Sequence, residues 1–311
     1  MIRHQVQAWA LRQGPKVGVL SQGSARSVGR LSASAFLRWT RRRERRAMMH
    51  LSRAFPDWPR ARLQATVRTS AGNAGACWAE ATRLAHLSPL DRMATVDISA
   101  LEGPVRAGLQ AGTGAIVVTG WIGHWEGLAA ALAGATGEVM LVTRRLGSVE
   151  VHDAAERLRR RWEVRTSSFS SARIDALRWL RLNRVVVVVA DGDAGRDGAF
   201  MPLFGRTASI NPLAPRLAAD TGAPCMASFC LPEGSSWRAT MESLPVGRWA
   251  PREVQRDVQV RWVALFEEMA LKHPEWTFWH PRRWKTRPSP EEKEMLRNLD
   301  IPIVLPQENI L

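Results

Sequence analysis

The stretch Thr119-Gly-Trp-Ile-Gly-His-Trp-Glu-Gly127 puts an imidazole, His124, and a carboxylate, Glu126, into one glycine-containing turn. A β-branched run, Ala115-Ile-Val-Val118, precedes it, and a small-residue helical pattern, Leu128-Ala-Ala-Ala-Leu132, follows. The segment reads as strand, tight turn and helix N-terminus. Strand ends and helix N-termini are rigid and polar, so α/β enzymes hold reactive side chains there. A plainer reading also exists: Glu126 as a carboxylate at a helix dipole and His124 as a capping or core histidine. A second constellation, Asp191-Gly-Asp-Ala-Gly195, follows the run Val185–Ala190. An acidic pair at a buried strand's carboxyl end lies where α/β sites form and is chemically suited to magnesium, although Asp and Gly also simply make turns. We assign no metal ligands and no cofactor. Phe200-Met-Pro-Leu-Phe-Gly-Arg-Thr-Ala208 joins an apolar wall to Arg206, as a pocket for a chain and a phosphate would, or else forms a hairpin. The third constellation, Trp276 to Arg287, interleaves indoles and cations; it suits base stacking, a lipid headgroup layer, or the solvated end of a core strand.

These groups need a scaffold. Residues 1–95 read as helical: a stretch from Arg26 to Arg46 ends in a basic cluster, Ala54–Pro59 is a breaker, and a helix is expected from Ala61 to Leu84, with Gly72 and Gly75 against it. From 96 to 287, strands at Ile116–Val118, Val139–Thr143, Val185–Ala190 and Ala223–Phe229 alternate with helices at Val151–Arg161, Ala172–Leu182, Pro212–Asp220 and Arg252–Lys272. The alternation implies an α/β fold whose mixed, mostly parallel central sheet is buried on both faces and flanked by helices. The tail, 288–311, is expected to pack loosely.

Composition narrows the function classes. The chain has 311 residues and a net charge of +15, with 14 Trp and no Tyr. Such a basic surface attracts phosphates of nucleic acid, anionic lipid or a phosphopantetheine arm, and charge alone does not choose. Three cysteines, Cys77, Cys225 and Cys230, lack metal-ligand spacing and read as packed thiols in a reducing compartment. No apolar run matches a signal-peptide core or a membrane span, which leads us to expect a soluble or peripheral, cytoplasmic protein. Dinucleotide, Walker and Gly-x-Ser-x-Gly signatures are absent from the sequence.

Four blocks, in order, carry a family resemblance. Arg45 to Pro56 is similar to a basic helix ending in Phe-Pro, Ile116 to Glu126 to the segment of the His-x4-Asp/Glu signature, Asp191 to Arg206 to an "Asp…Gly…Phe-Phe-Gly" block, and Trp276 to Lys285 to a "Trp-x-His-x-Arg-Arg-Trp-Lys" block. The chain thus resembles the bacterial lipid A biosynthesis (late, secondary) acyltransferases of the lysophospholipid acyltransferase superfamily. The resemblance implies a glycerol-3-phosphate acyltransferase-like core and transfer of an acyl group from an acyl-carrier-protein thioester to a hydroxyl on a lipid acceptor; for this chain we expect a carrier-protein or CoA thioester as donor and a hydroxyl or amine on a lipid or small-molecule acceptor. The basic, indole-bearing surface adds an expected contact with an anionic membrane surface; nucleic-acid binding, resting on charge alone, is set aside. In the family the signature histidine is the base on the acceptor hydroxyl and its acidic partner orients the ring.

The alignment puts Trp121, five residues before Glu126, at the base position, and His124 where the family usually has Asn. Indole is a hydrogen-bond donor only. Either His124 has taken over as base or the base is lost. His124 and Glu126 remain the catalytic candidates, with Arg144, Arg173, Asp191 and Arg206 as weaker contacts for phosphate or an oxyanion. A non-catalytic homologue that binds carrier protein or anionic lipid is the alternative.

Overall fold

The computed structural model describes residues 20–145, 149–168 and 171–298; for residues 34–39 only the backbone is described. Helices α1 (Gln22–Trp39), α2 (Arg41–Ala54) and α3 (Arg60–Leu84) come first. The helix expected over 26–46 is therefore two helices, parted at Thr40, whose ψ of 63° is non-helical. The breaker ends at Pro59, whose fixed φ suits the entry to α3. Gly75 does not interrupt α3, because it is where α1 crosses: a Cβ there would collide with the carbonyl of Gly29, and one on Gly29 with that of Gly75. The two glycines trade helix propensity for close backbone approach.

Next come α4 (Pro89–Thr95), β1 (Val96–Asp97), α5 (Ser99–Gln110), β2 (Ala115–Thr119), α6 (Trp125–Thr136), β3 (Val139–Val142), α7 (Val149–Arg160), β4 (Val164–Ser167), α8 (Ala172–Arg181) and β5 (Val185–Val189). A hairpin, β6 (Ala199–Leu203) and β7 (Arg206–Ile210), precedes α9 (Leu213–Thr221), and β8 (Cys225–Ala227), β9 (Cys230–Glu233), β10 (Ser236–Ala239), β11 (Glu242–Ser243), α10 (Arg252–Lys272) and α11 (Pro290–Asn298) complete the described chain.

The central sheet runs β11-β8-β2-β5-β3-β4, parallel except for its β11 edge. β2 and β5 are neighbours near its centre, in register from Ala115 opposite Val185 to Thr119 opposite Val189. All their side chains are buried, Ile116, Val118, Val186 and Val188 on one face and Ala115, Val117, Val185, Val187 and Val189 on the other. Full burial stabilises by roughly 1.5–3 kcal/mol per valine, which is why the runs have no polar alternation. Helix α6 covers the second face together with parts of α3 and α5; α8, α9, α10 and α2 cover the first. This is the mixed α/β fold with a flanked, mostly parallel sheet that the alternation implies.

Two further segments differ from expectation. The strand at 223–229 is shorter, Cys225–Ala227. Residues 290–298 of the tail are helical with Leu296 buried, because Ser289 and Glu292 cap the start reciprocally: the Ser289 amide donates to Glu292 Oε2 (2.6 Å) and the Glu292 amide to Ser289 Oγ (3.2 Å). Residues 299–311 lie outside the described structure. No helix among the described residues is long and apolar enough to cross a membrane.

Candidate active site

The turn after β2 is sewn to two other segments by main-chain bonds. Gly123 N–H donates to the Trp276 carbonyl (2.9 Å), His124 N–H to that of Cys230 (2.8 Å), and Phe278 N–H to that of Trp121 (2.8 Å). Gly123 has φ of 59°, and any Cβ on it would run into the Cys230 carbonyl, so glycine is required. At Gly120 a Cβ would stand 2.6 Å from the Phe266 ring. The turn thus has one shape, set by β9 and by residues 276–278.

Within it His124 and Glu126 do not meet. Glu126, in the first turn of α6, takes a two-pronged ion pair from Arg159 of α7: Nη2 to Oε1 at 2.6 Å and Nε to Oε2 at 3.1 Å, both side chains buried. His124 turns the other way. Its ring is 0% exposed, lies over Gly127 and sits 4.9 Å from the Trp237 ring, and neither ring nitrogen has a hydrogen-bond partner among the described residues. Burial pushes the imidazole down to about 4, Arg26 and Arg83 adding to the effect and Glu80 opposing it. Glu80 is buried and held by Arg26 (2.5 Å) and Gln22 (2.6 Å). His124 is neutral at pH 7 and closed off from solvent.

Trp121 occupies the outer part of the turn. It is 8% exposed, edge-on to Trp125 at 5.0 Å, and its ring centre is 6.3 Å from that of His280. Its amide donates to Asp191 Oδ1 (2.9 Å), just beyond β5. Asp191 is buried and also accepts from Arg283 Nε (3.0 Å) and Nη2 (2.6 Å). Asp193 accepts from the Thr286 amide (2.8 Å) and hydroxyl (3.1 Å), with Arg144 Nη1 at 4.0 Å. Both carboxylates of the Asp-Gly-Asp loop therefore fasten residues 278–286 to the carboxyl ends of β2 and β5.

The remaining candidates scatter. Arg144 borders Gly192. Arg173 is exposed and pairs with Asp220 of α9 (3.1 Å). Arg206 opens β7 in the hairpin and faces α2, where its charge, after burial, helps to lower Arg53 to about 10. The 200–208 segment is the hairpin, turning on Phe204 and Gly205, both with positive φ. The three cysteines are free and buried, and burial pushes the Cys225 thiol up to about 12.

Three participants escape a reading of the sequence. Arg159 carried a signal: it falls on the apolar face of α7 with Ala155, four residues away. His280 lies within the Trp276–Arg287 constellation but has no role assigned to it there, and Glu80 carried no signal, since its partners come from distant segments.

The fold is a mixed α/β one with its candidate site at the turn that follows the carboxyl end of β2. A family model described as bacterial lipid A biosynthesis acyltransferase matches residues 11–286. The chain belongs to that family. Comparison with curated proteins gives no match.

Proposed function

We propose that this protein takes an acyl group from a carrier-protein or CoA thioester and passes it to an amine-bearing acceptor, at the cytoplasmic face of a membrane. Family membership supports acyl transfer in general; the amine follows from reading Trp121 as the residue at the base position. A hydroxyl needs a base as it attacks, whereas a neutral amine attacks unaided. The C–N bond forms, the C–S bond breaks, and the ammonium proton passes to the departing thiolate. Trp121 then serves as a donor: its indole N–H can hydrogen-bond the thioester carbonyl as negative charge grows on the oxygen. In this reading His124 and Glu126 shape the turn, and Arg144, which borders Gly192 as the Trp121 indole nitrogen does, is an arginine able to contact the oxyanion.

The test is acyl transfer from radiolabelled acyl carrier protein and acyl-CoA to paired acceptors differing only in an amine or a hydroxyl. Preference for the amine is expected, and equal or greater transfer to the hydroxyl overturns the reading. A second reading, a non-catalytic homologue that binds acyl donors, is favoured by the closed ring of His124 and the occupied carboxylate of Glu126. Donor binding with no transfer to either acceptor selects it.

A further inference from the structure

Where α2 packs against residues 276–287, cations gather beside Trp121. Arg46 Nη1 donates to the His280 carbonyl (3.2 Å), and His50 Nδ1 to that of Trp279 (2.8 Å), which fixes the helix to the segment. Arg43, Arg46 and Arg283 all act on the His280 ring, and Arg43 and Arg282 act on Arg46. Of these, Arg283 has Asp191 as its counter-charge. Arg46 and Arg282 have no ion pair with a carboxylate among the described residues. The mutual repulsion lowers Arg46, after burial, and His280 is pushed down to about 3 by burial and then by Arg43, Arg283 and Arg46. Arg43 and Arg46 are half-buried and Arg282 is exposed; like charges held close together are unfavourable unless an anion offsets them.

We propose that Arg46, Arg282 and the His280 ring form a subsite for a phosphate group, adjoining Trp121. Arginine forks match phosphate oxygens in two-pronged fashion, and the neutral imidazole can add a single N–H donor. A phosphate there would lie beside the Trp121 ring, whose centre is 6.3 Å from that of His280. The inference deepens the acyl-transfer reading by giving a place to the phosphate of the donor arm or of a lipid acceptor. It does not require turnover.

The experiment uses the full chain and measures binding alone. Inorganic phosphate is titrated while the histidine ring signals are followed by NMR, with His280 assigned by His280→Asn. The His280 signals are expected to move and those of His124 to stay still. Arg282→Ala, at an exposed position, and Arg46→Gln are each expected to weaken phosphate binding about tenfold. Unchanged binding in Arg282→Ala together with an unmoved His280 ring overturns the proposal, whatever the outcome of the transfer assays. Competition of phosphate by CoA but not by short-chain phosphatidic acid assigns the subsite to the donor; the reverse assigns it to a lipid. Competition by neither overturns it as a substrate subsite.

Discussion

Glu126 and Arg159 are joined by two buried hydrogen bonds, 2.6 and 3.1 Å, linking the first turn of α6 to α7. Arg159 also reaches Glu156 (3.0 Å), so its charge is compensated twice. A carboxylate so engaged anchors a helix start, and its removal leaves a buried guanidinium without its main partner.

Glu126→Gln is therefore expected to lower stability by about 3–5 kcal/mol, read from urea denaturation midpoints. The double variant Glu126→Leu/Arg159→Leu is expected to recover part of that loss, since both charges leave together. A double variant no more stable than Glu126→Gln shows that the pair acts through packing and not through charge.

His124 predicts a pH dependence. Its folded value is about 4 and the free imidazole titrates at about 6.5. The unfolded chain binds the proton more tightly, so stability contributed at neutral pH is lost as pH falls from about 6.5 to about 4 and levels off below. The loss approaches about 3 kcal/mol. In His124→Leu this portion of the slope is absent, while the contributions of His50 and His280 remain in both proteins. Denaturation midpoints collected at intervals from pH 4 to 7 give the difference directly.

Trp121 separates a donor from a base. Trp121→Phe keeps an aromatic ring and deletes the N–H, and under the amine reading kcat falls about 100- to 1,000-fold with little change in KM. Trp121→His restores a group able to accept a proton and is expected to raise transfer to the hydroxyl acceptor relative to the amine. A Trp121→Phe protein with full kcat removes the indole from the chemistry.

Gly75 tests how α1 is held. Gly75→Ala places a methyl against the Gly29 carbonyl and the Ala33 Cβ, and overpacking of this kind costs about 1–3 kcal/mol. Limited proteolysis is expected to cut first within 22–39 in the variant. Cleavage there at the wild-type rate shows that α1 adjusts without loss.

The sequence alone determined the elements of strong local pattern. Five consecutive valines cannot face water, so β5 had to be a central strand, and Arg252–Lys272 has the length and spacing of the helix it forms, α10. The turn at 120–124 was also legible, because glycines follow a β-branched run. The capped start of α11 is written in the sequence as Ser289-Pro-Glu-Glu292. Side-chain partners were not legible, because they depend on which segments the fold brings together. Two residues apart in one turn, His124 and Glu126 face opposite ways: the His124 ring packs toward Trp237 and Glu80, while Glu126 is claimed by Arg159. The Asp191–Arg283 pair spans 92 positions, and the approach of His280 to Trp121 also joins distant segments. Spacing along a chain fixes backbone form over a few residues; the direction of a buried charge is decided by whichever opposite charge or donor tertiary packing sets beside it.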